Sequence, residues 1–365
     1  MRILAGMPEP GARGGPAACE PPFIEELRHL GHDVEEAIYV YAKVNLAFHS
    51  RAQRVLSTSR ALRQQLRRDK FDLIHINTAF DARALMRDAV IVPRLRSEHT
   101  RVFLKFHGSD GDLLKTKGPM LTALRRRVLA CADGIGVLSS EERENFLQAG
   151  VPAEKVFLVK NVVEESVPKP DPDFFRIWGL PDDRPLLLFI GRFISAKGLL
   201  DVIVASGLLR DGGQKFLLLC VGDGPTRVEA EALVEKLDLK SSVRFFGYLP
   251  EQQTQTFYAH SSMLLFPTYH IEGFPMVIFN AAANGLPIIT TRIRAAADYL
   301  REPDHCLWVE PKNPEMLVEK IGQLLRDADL RSAMAANNRI LAQRFSANIV
   351  TAEYLSIYRQ LISSK

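Results

Sequence analysis

Short apolar runs alternate with helix-length amphipathic stretches along almost all of this 365-residue sequence, and few folds accommodate that rhythm. In the first half the strand candidates are Arg2–Ala5, Val34–Val40, Phe71–Asn77, Arg101–Phe106, Gly134–Leu138 and Val156–Val159. Between them lie stretches such as Phe23–Leu30, which Gly31 can end through a left-handed cap. The segment Val167–Pro172 is polar and dense in proline, and reads as a linker. Beyond it the alternation restarts with Leu186–Ile190, Phe216–Val221, Val243–Phe246, Met263–Phe266, Pro287–Thr290 and Leu307–Val309. Strands alternating with helices predict parallel sheets covered by helices on both faces. Unbroken apolar runs such as Leu186–Ile190 suit strands buried on both sides. The expectation is an α/β chain of two doubly wound, Rossmann-like domains, 1–168 and 169–346, facing across a cleft. Ligands in such folds collect at the carboxyl ends of the strands.

Composition narrows the class. Apolar residues make up 47% of the chain, enough for a sizeable core and against wholesale disorder. No apolar run approaches the ~20 residues that a membrane helix needs. The opening Met1–Gly6 is soon interrupted by Pro8 and Pro10, unlike a signal peptide. The four cysteines, Cys19, Cys131, Cys220 and Cys306, lie far apart and show no metal-binding spacing. A cytoplasmic protein of a reducing compartment is expected, without disulfides, structural zinc or membrane spans. The net charge of +4 hides an asymmetry, because residues 51–127 carry eighteen basic against seven acidic side chains. Arg60, Arg63, Arg67 and Arg68 fall on one expected helix, and Arg125, Arg126 and Arg127 on another. Such a face is either simply solvated or attracts anions, including lipid phosphate at the inner face of a membrane. Nucleic acid is disfavoured, since no aromatic residues are interleaved for base stacking.

Several loops carry candidate chemistry. A buried strand runs into Pro267–Pro275, and a helix is expected from near Pro275 to Gly285. The free N–H groups near Pro275–Val277, those of Met276 and Val277 among them, favour an anion, and Glu272, just before them, can accept hydroxyl hydrogen bonds or serve only as a helix-terminal charge. In Gly191–Gly198, Arg192 and Lys197 occupy a loop leaving a buried strand; they are surface cations or the charges that neutralise a departing diphosphate. His107 stands where a strand ends, as a structural residue or a ligand contact. Gly11–Gly15 fits a phosphate-cradling turn without being GxGxxG, and Gly222–Pro225 is a tight strand-to-helix turn. The pairs Asp110/Asp112 and Asp171/Asp173 have no further ligands nearby in sequence, so no metal is expected.

Together these loops resemble a family 4 retaining glycosyltransferase of GT-B fold, over essentially the whole chain. The resemblance is carried by Gly14-Gly15 before Leu30–Val34, the His107 turn, Cys131–Ser139, Lys155–Asn161, Gly191-Arg192 with Lys197-Gly198, Gly222–Pro225 and Gly247–Pro250. Most specific is Glu272-Gly273-Phe274-Pro275 with its following helix. Ala352–Tyr358 resembles the family's last helix, and 347–365 is expected to pack back on the first domain. The resemblance implies transfer of a sugar from a nucleotide-diphosphate donor (UDP- or GDP-sugar) to an acceptor hydroxyl, in polysaccharide, glycolipid or glycoconjugate biosynthesis, without a cofactor or metal. The acceptor would bind the first domain and the donor the second. Arg192 and Lys197 would hold the diphosphate beside Gly191. Glu272 and the backbone of Gly273, Phe274, Pro275, Met276 and Val277 would hold the sugar and distal phosphate. His107 would contact the sugar near its reacting face, Gly14 and Gly15 would close over donor and acceptor, and Tyr248 and Leu249 would flank the base.

The sequence departs from the family pattern in three places. Asn280 replaces a glutamate that binds ribose, Asn161 is followed by Val162 rather than glycine, and Arg294-Ala295 replaces a glycine pair. Restoring glutamate at 280 is expected to tighten donor binding. The alternatives are a nucleotide-sugar epimerase or hydrolase of the same shape and a non-catalytic nucleotide-sugar-binding module.

Overall fold

The computed structural model describes residues 1–12, 14–40, 48–97, 99–115, 118–164 and 171–363. Its strands are β1 (Arg2–Pro8), β2 (Asp33–Val40), β3 (Leu73–Phe80), β4 (Arg101–Ser109), β5 (Gly134–Val137), β6 (Val156–Leu158), β7 (Leu186–Ile190), β8 (Leu217–Val221), β9 (Val243–Gly247), β10 (Met263–Phe266), β11 (Ile288–Thr290) and β12 (Leu307–Trp308). Each falls on an expected apolar run. They build two wholly parallel six-stranded sheets, β2-β1-β3-β4-β5-β6 and β12-β11-β10-β7-β8-β9.

The chain divides into two compact units. The first holds Met1–Val162, Ile271–Phe274 and Ala347–Lys365; the second holds Val163–His270 and Pro275–Ser346. The expected division at 168/169, and all of the proline-dense linker before Asp171, lie outside the described residues. The second sheet has the Rossmann order, reversing direction between β7 and β10. The first has the flavodoxin-like order, reversing between β1 and β3. In each sheet the reversal leaves a crevice at the strands' carboxyl ends.

The central strands are buried on both faces. All of Leu186–Ile190 and Leu217–Val221 is at most 7% exposed, as their uninterrupted apolar character requires. The strands β3 and β4 run further than the apolar pattern foretold, carrying the buried polar residues His75, Asn77, Thr78, Lys105 and Ser109.

One helix contradicts local propensity. The segment expected to begin at Phe23 is a helix over Gly15–His29, continuing through Pro21 and Pro22. An internal proline removes a hydrogen bond and costs about 3 kcal/mol. The burial of Cys19, Glu20, Phe23, Ile24 and Leu27 on one side of the helix supplies the compensation. Gly31, at φ +79°, follows its end as expected.

Candidate functional site

In the second unit the loops leaving β7 and β10 are stitched together. The Tyr269 N–H donates to the Ala196 carbonyl at 2.8 Å, and Thr268 Oγ1 donates to the same oxygen at 3.2 Å. Gly198 lies at φ +80°, and a Cβ there would stand 2.6 Å from the Pro267 carbonyl oxygen. At Gly222 a Cβ would stand 1.8 Å from the Gly191 carbonyl oxygen, so only glycine permits that approach. The Gly222 N–H donates at 2.7 Å to the Gly247 carbonyl, joining the turn that carries half-exposed Tyr248 and partly buried Leu249. Motifs far apart in sequence thus form one rim at the reversal of the sheet.

Two cations of differing exposure occupy this rim. Arg192 is exposed, and among the described residues no carboxylate pairs with it. Lys197 is only 7% exposed, with Nζ 4.9 Å from the centre of the Phe266 ring. After β10 the chain passes through Pro267–Pro275 into the helix Met276–Ala283. Pro275 stands at its N-cap without a side-chain cap, Met276 and Val277 are partly buried, and Gly285 follows at φ +66°. The helix therefore has the expected limits.

Asn280, 7% exposed, donates from Nδ2 to Glu251 Oε1 at 2.8 Å, and burial together with Glu164 raises the Glu251 carboxyl above its usual range. Arg294, buried, opens the helix Arg294–Tyr299 at φ +37°, a backbone conformation that residues other than glycine rarely adopt.

In the first unit, Glu272 is partly buried and Gly273 and Phe274 are buried. A Cβ on Gly273 would lie 3.0 Å from the His107 carbonyl oxygen and 3.2 Å from Glu142 Oε2, which brings this loop to the His107 turn. Gly14, exposed at φ +115°, caps the helix that starts with Gly15.

His107 sits in a polar cluster that sequence reading missed. Glu20 is fully buried, and its Oε1 lies 2.5 Å from Lys105 Nζ and 3.4 Å from His107 Nε2. Asn77 Oδ1 is 2.8 Å from His107 Nε2 and 3.2 Å from His75 Nε2. The Tyr358 hydroxyl bonds His75 Nδ1. Burial, reinforced by Lys105 and opposed by Glu20, lowers the His107 pKa to about 3. Burial likewise lowers His75 to about 4. For Glu20 burial acts in the opposite sense, but Lys105 and the two rings outweigh it and bring the carboxyl down to about 2. The available signal was Lys105 and His75 inside runs that otherwise read as buried parallel strands, with His107 just past the end of one.

Cys19, Glu20 and His107 place three ligand-type atoms within 4.8 Å of one another. The trio fits a cation poorly, because the Lys105 ammonium already neutralises Glu20 and burial drives the thiol pKa up. Of the two acidic pairs, Asp110 Oδ1 accepts from the Asp112 and Leu113 N–H groups, and Asp173 pairs with Arg176. Both carboxylates serve local structure.

The chain matches two family descriptions, Glycosyltransferase Family 4 over residues 18–167 and Glycosyl transferases group 1 over residues 170–340. It is 26% identical over 255 residues to the 2-deoxystreptamine glucosyltransferase of Streptomyces kanamyceticus, covering 68% of this chain and 65% of that protein. Among solved structures, sucrose-phosphate synthase from Thermosynechococcus elongatus superimposes with a TM-score of 0.81 at 20% identity, over 100% of this chain and 99% of the other. Anabaena Alr3699/HepE, solved in complex with UDP and glucose, gives 0.75 at 17% identity, over 100% and 99%. These likenesses establish the GT-B fold. With both halves of the chain matched, the protein belongs to the family 4, group 1 glycosyltransferases.

Proposed function

We propose that the protein transfers a sugar from a nucleotide-diphosphate donor to an acceptor hydroxyl, with retention at the anomeric carbon. The observation that carries this reading is the rim of the second unit, where Arg192, with no ion pair among the described residues, and buried Lys197 share a glycine-enforced loop at the sheet's reversal. A diphosphate gains negative charge as it leaves the sugar, and fixed cations stabilise that charge in place of a divalent metal. The bond from the anomeric carbon to the diphosphate breaks, the acceptor oxygen bonds that carbon on the face the diphosphate leaves, and the leaving phosphate oxygen takes the acceptor proton. Glu272 and the 273–277 backbone hold the sugar, with His107 near its reacting face. The UDP and glucose bound in the Anabaena structure support a uridine-diphosphate sugar as the first donor to try.

The exposed Arg60, Arg63, Arg67 and Arg68 lie on the helix Phe48–Arg68 and favour an anionic acceptor or one carried on lipid phosphate. No helix among the described residues is long and apolar enough to cross a membrane.

The test is a panel of nucleotide sugars, each scored for protection against thermal unfolding and, with acceptor extracts prepared with and without anionic vesicles, for a glycosylated product by mass spectrometry. The anomeric configuration of the product is then read by NMR. A nucleotide sugar that is consumed only with acceptor and gives a retained product supports the reading. An epimer formed from donor alone identifies the epimerase, and protection with no transfer identifies a binding module. An inverted product overturns the retaining mechanism.

Asn280 reverses one expectation. A glutamate there would set a second carboxylate against Glu251, whose ionisation is already opposed by burial and Glu164. Asn280→Glu should therefore weaken UDP-glucose binding several-fold and lower the melting temperature. Calorimetry showing equal or tighter binding would refute this placement of Asn280.

A further inference from the structure

Nδ1 of His107 is buried and has no hydrogen-bond partner among the described residues, whereas Nε2 faces two acceptors, Asn77 Oδ1 and Glu20 Oε1. Which ring nitrogen carries the proton is decided at Asn77. Its Nδ2 lies 3.0 Å from Glu20 Oε2 and 3.2 Å from the Gly6 carbonyl oxygen. A carbonyl only accepts, and Glu20, beside the Lys105 ammonium, is an ionised carboxylate that only accepts. Turning the amide over would set Oδ1 against both of them, so the network fixes its orientation. Oδ1 then faces the Nε2 atoms of His75 and His107, and each ring must offer it an N–H. His75 shows the consequence, because its Nδ1 is left as a lone pair and meets a donor, the Tyr358 hydroxyl. The same logic leaves His107 Nδ1 as a lone pair, but no donor among the described residues meets it.

We infer that Asn77, oriented by Glu20, is a positioning residue that holds His107 as the neutral Nε2–H tautomer and presets Nδ1 as an acceptor for a hydroxyl or amide hydrogen of the donor sugar. The identity of that ligand rests on the glycosyl-transfer reading; the tautomer does not. The groups facing the ring are Cys19 and Glu20 from the helix Gly15–His29, His75 and Asn77 from β3, and Lys105 from β4; behind them stand Tyr354 and Tyr358 from the helix Ala347–Ser363. A ring kept neutral in this way accepts from a neutral sugar and repels a sugar carboxylate, so UDP-glucose should bind in preference to UDP-glucuronate.

The measurement is long-range proton–nitrogen NMR of the full chain labelled in histidine. In the free protein, His107 should show a protonated Nε2 and a bare Nδ1, unchanged between pH 5 and 8. An Nδ1–H tautomer or an imidazolium at pH 7 would overturn the assignment without any variant. In Asn77→Ala, once circular dichroism shows it folded, the His107 tautomers should mix, and kcat/KM should fall by about tenfold, the weight of one hydrogen bond. Wild-type tautomer populations in that variant would deny Asn77 its role. Saturating UDP-glucose should shift the Nδ1 resonance as it accepts a hydrogen bond; bound UDP-glucose with Nδ1 unmoved, or UDP-glucuronate binding equally well, overturns the acceptor role. If no nucleotide sugar binds, the transfer reading and the assigned ligand fail together, while the tautomer result stands by itself.

Discussion

Arg192→Ala should lower turnover about 10²–10³-fold, the usual weight of one preorganised donor to a developing oxyanion, while leaving thermal stability almost unchanged. The separation of the two effects follows from exposure. The guanidinium is solvated and makes no ion pair among the described residues, so its removal leaves no partner stranded. Arg192→Lys keeps the charge but loses the planar fork, and should fall between wild type and alanine. Lys197→Ala should lower turnover and the melting temperature together, because Lys197 is buried against Phe266. Single-turnover kinetics with the donor found in the panel provide the measurement. Near-normal turnover in Arg192→Ala would remove the proposed mechanism.

The largest expected effect on stability lies in the first unit. Lys105→Met leaves the Glu20 carboxylate buried and unpaired, and should cost roughly 3–5 kcal/mol. Glu20→Gln strands the ammonium at a similar cost. The double variant should recover much of the loss, which a urea-unfolding cycle will show as strong coupling.

The same cluster sets the response to acid. His75 and His107 are held neutral, with pKa values lowered to about 4 and about 3 against 6.5 for the free ring. Below pH 6.5 the unfolded chain therefore binds protons that the native state refuses, and stability falls as pH falls toward the folded values. Each ring contributes on the order of 1 kcal/mol per pH unit over that window. Glu20, lowered from 4.5 to about 2, adds a loss of the same sign below pH 4.5. The urea midpoint at pH 5 should lie clearly below that at pH 7. A flat profile from pH 7 to 4.5 would show that the two rings are not held neutral and buried.

The strands were readable because burial on both faces imposes a local signature, an unbroken apolar run, that needs no partner to be recognised. The Gly191–Gly198 and Gly222–Pro225 loops were readable for a related reason: close backbone approach demands glycine, and the structure supplies the approach in the contacts made by Gly198 and Gly222. The helix through Pro21 and Pro22 was not readable, since local propensity argues against it and only burial of its other face overrides that preference. Asn280 was legible as a departure but not in its consequence, because the carboxylate it meets is Glu251, twenty-nine positions earlier.

Sequence alone determined the alternation that makes two parallel sheets, the loops at their carboxyl ends, and the residue types able to meet a diphosphate. Tertiary structure alone decided that Glu20, His75, Asn77, Lys105, His107 and Tyr358 form one cluster and that His107 Nδ1 finds no partner among the described residues. Periodicity is a property of neighbours along the chain. The protonation state of a buried ring belongs to groups that parallel crossovers carry together from positions as far apart as 20 and 358, at separations that no spacing rule encodes.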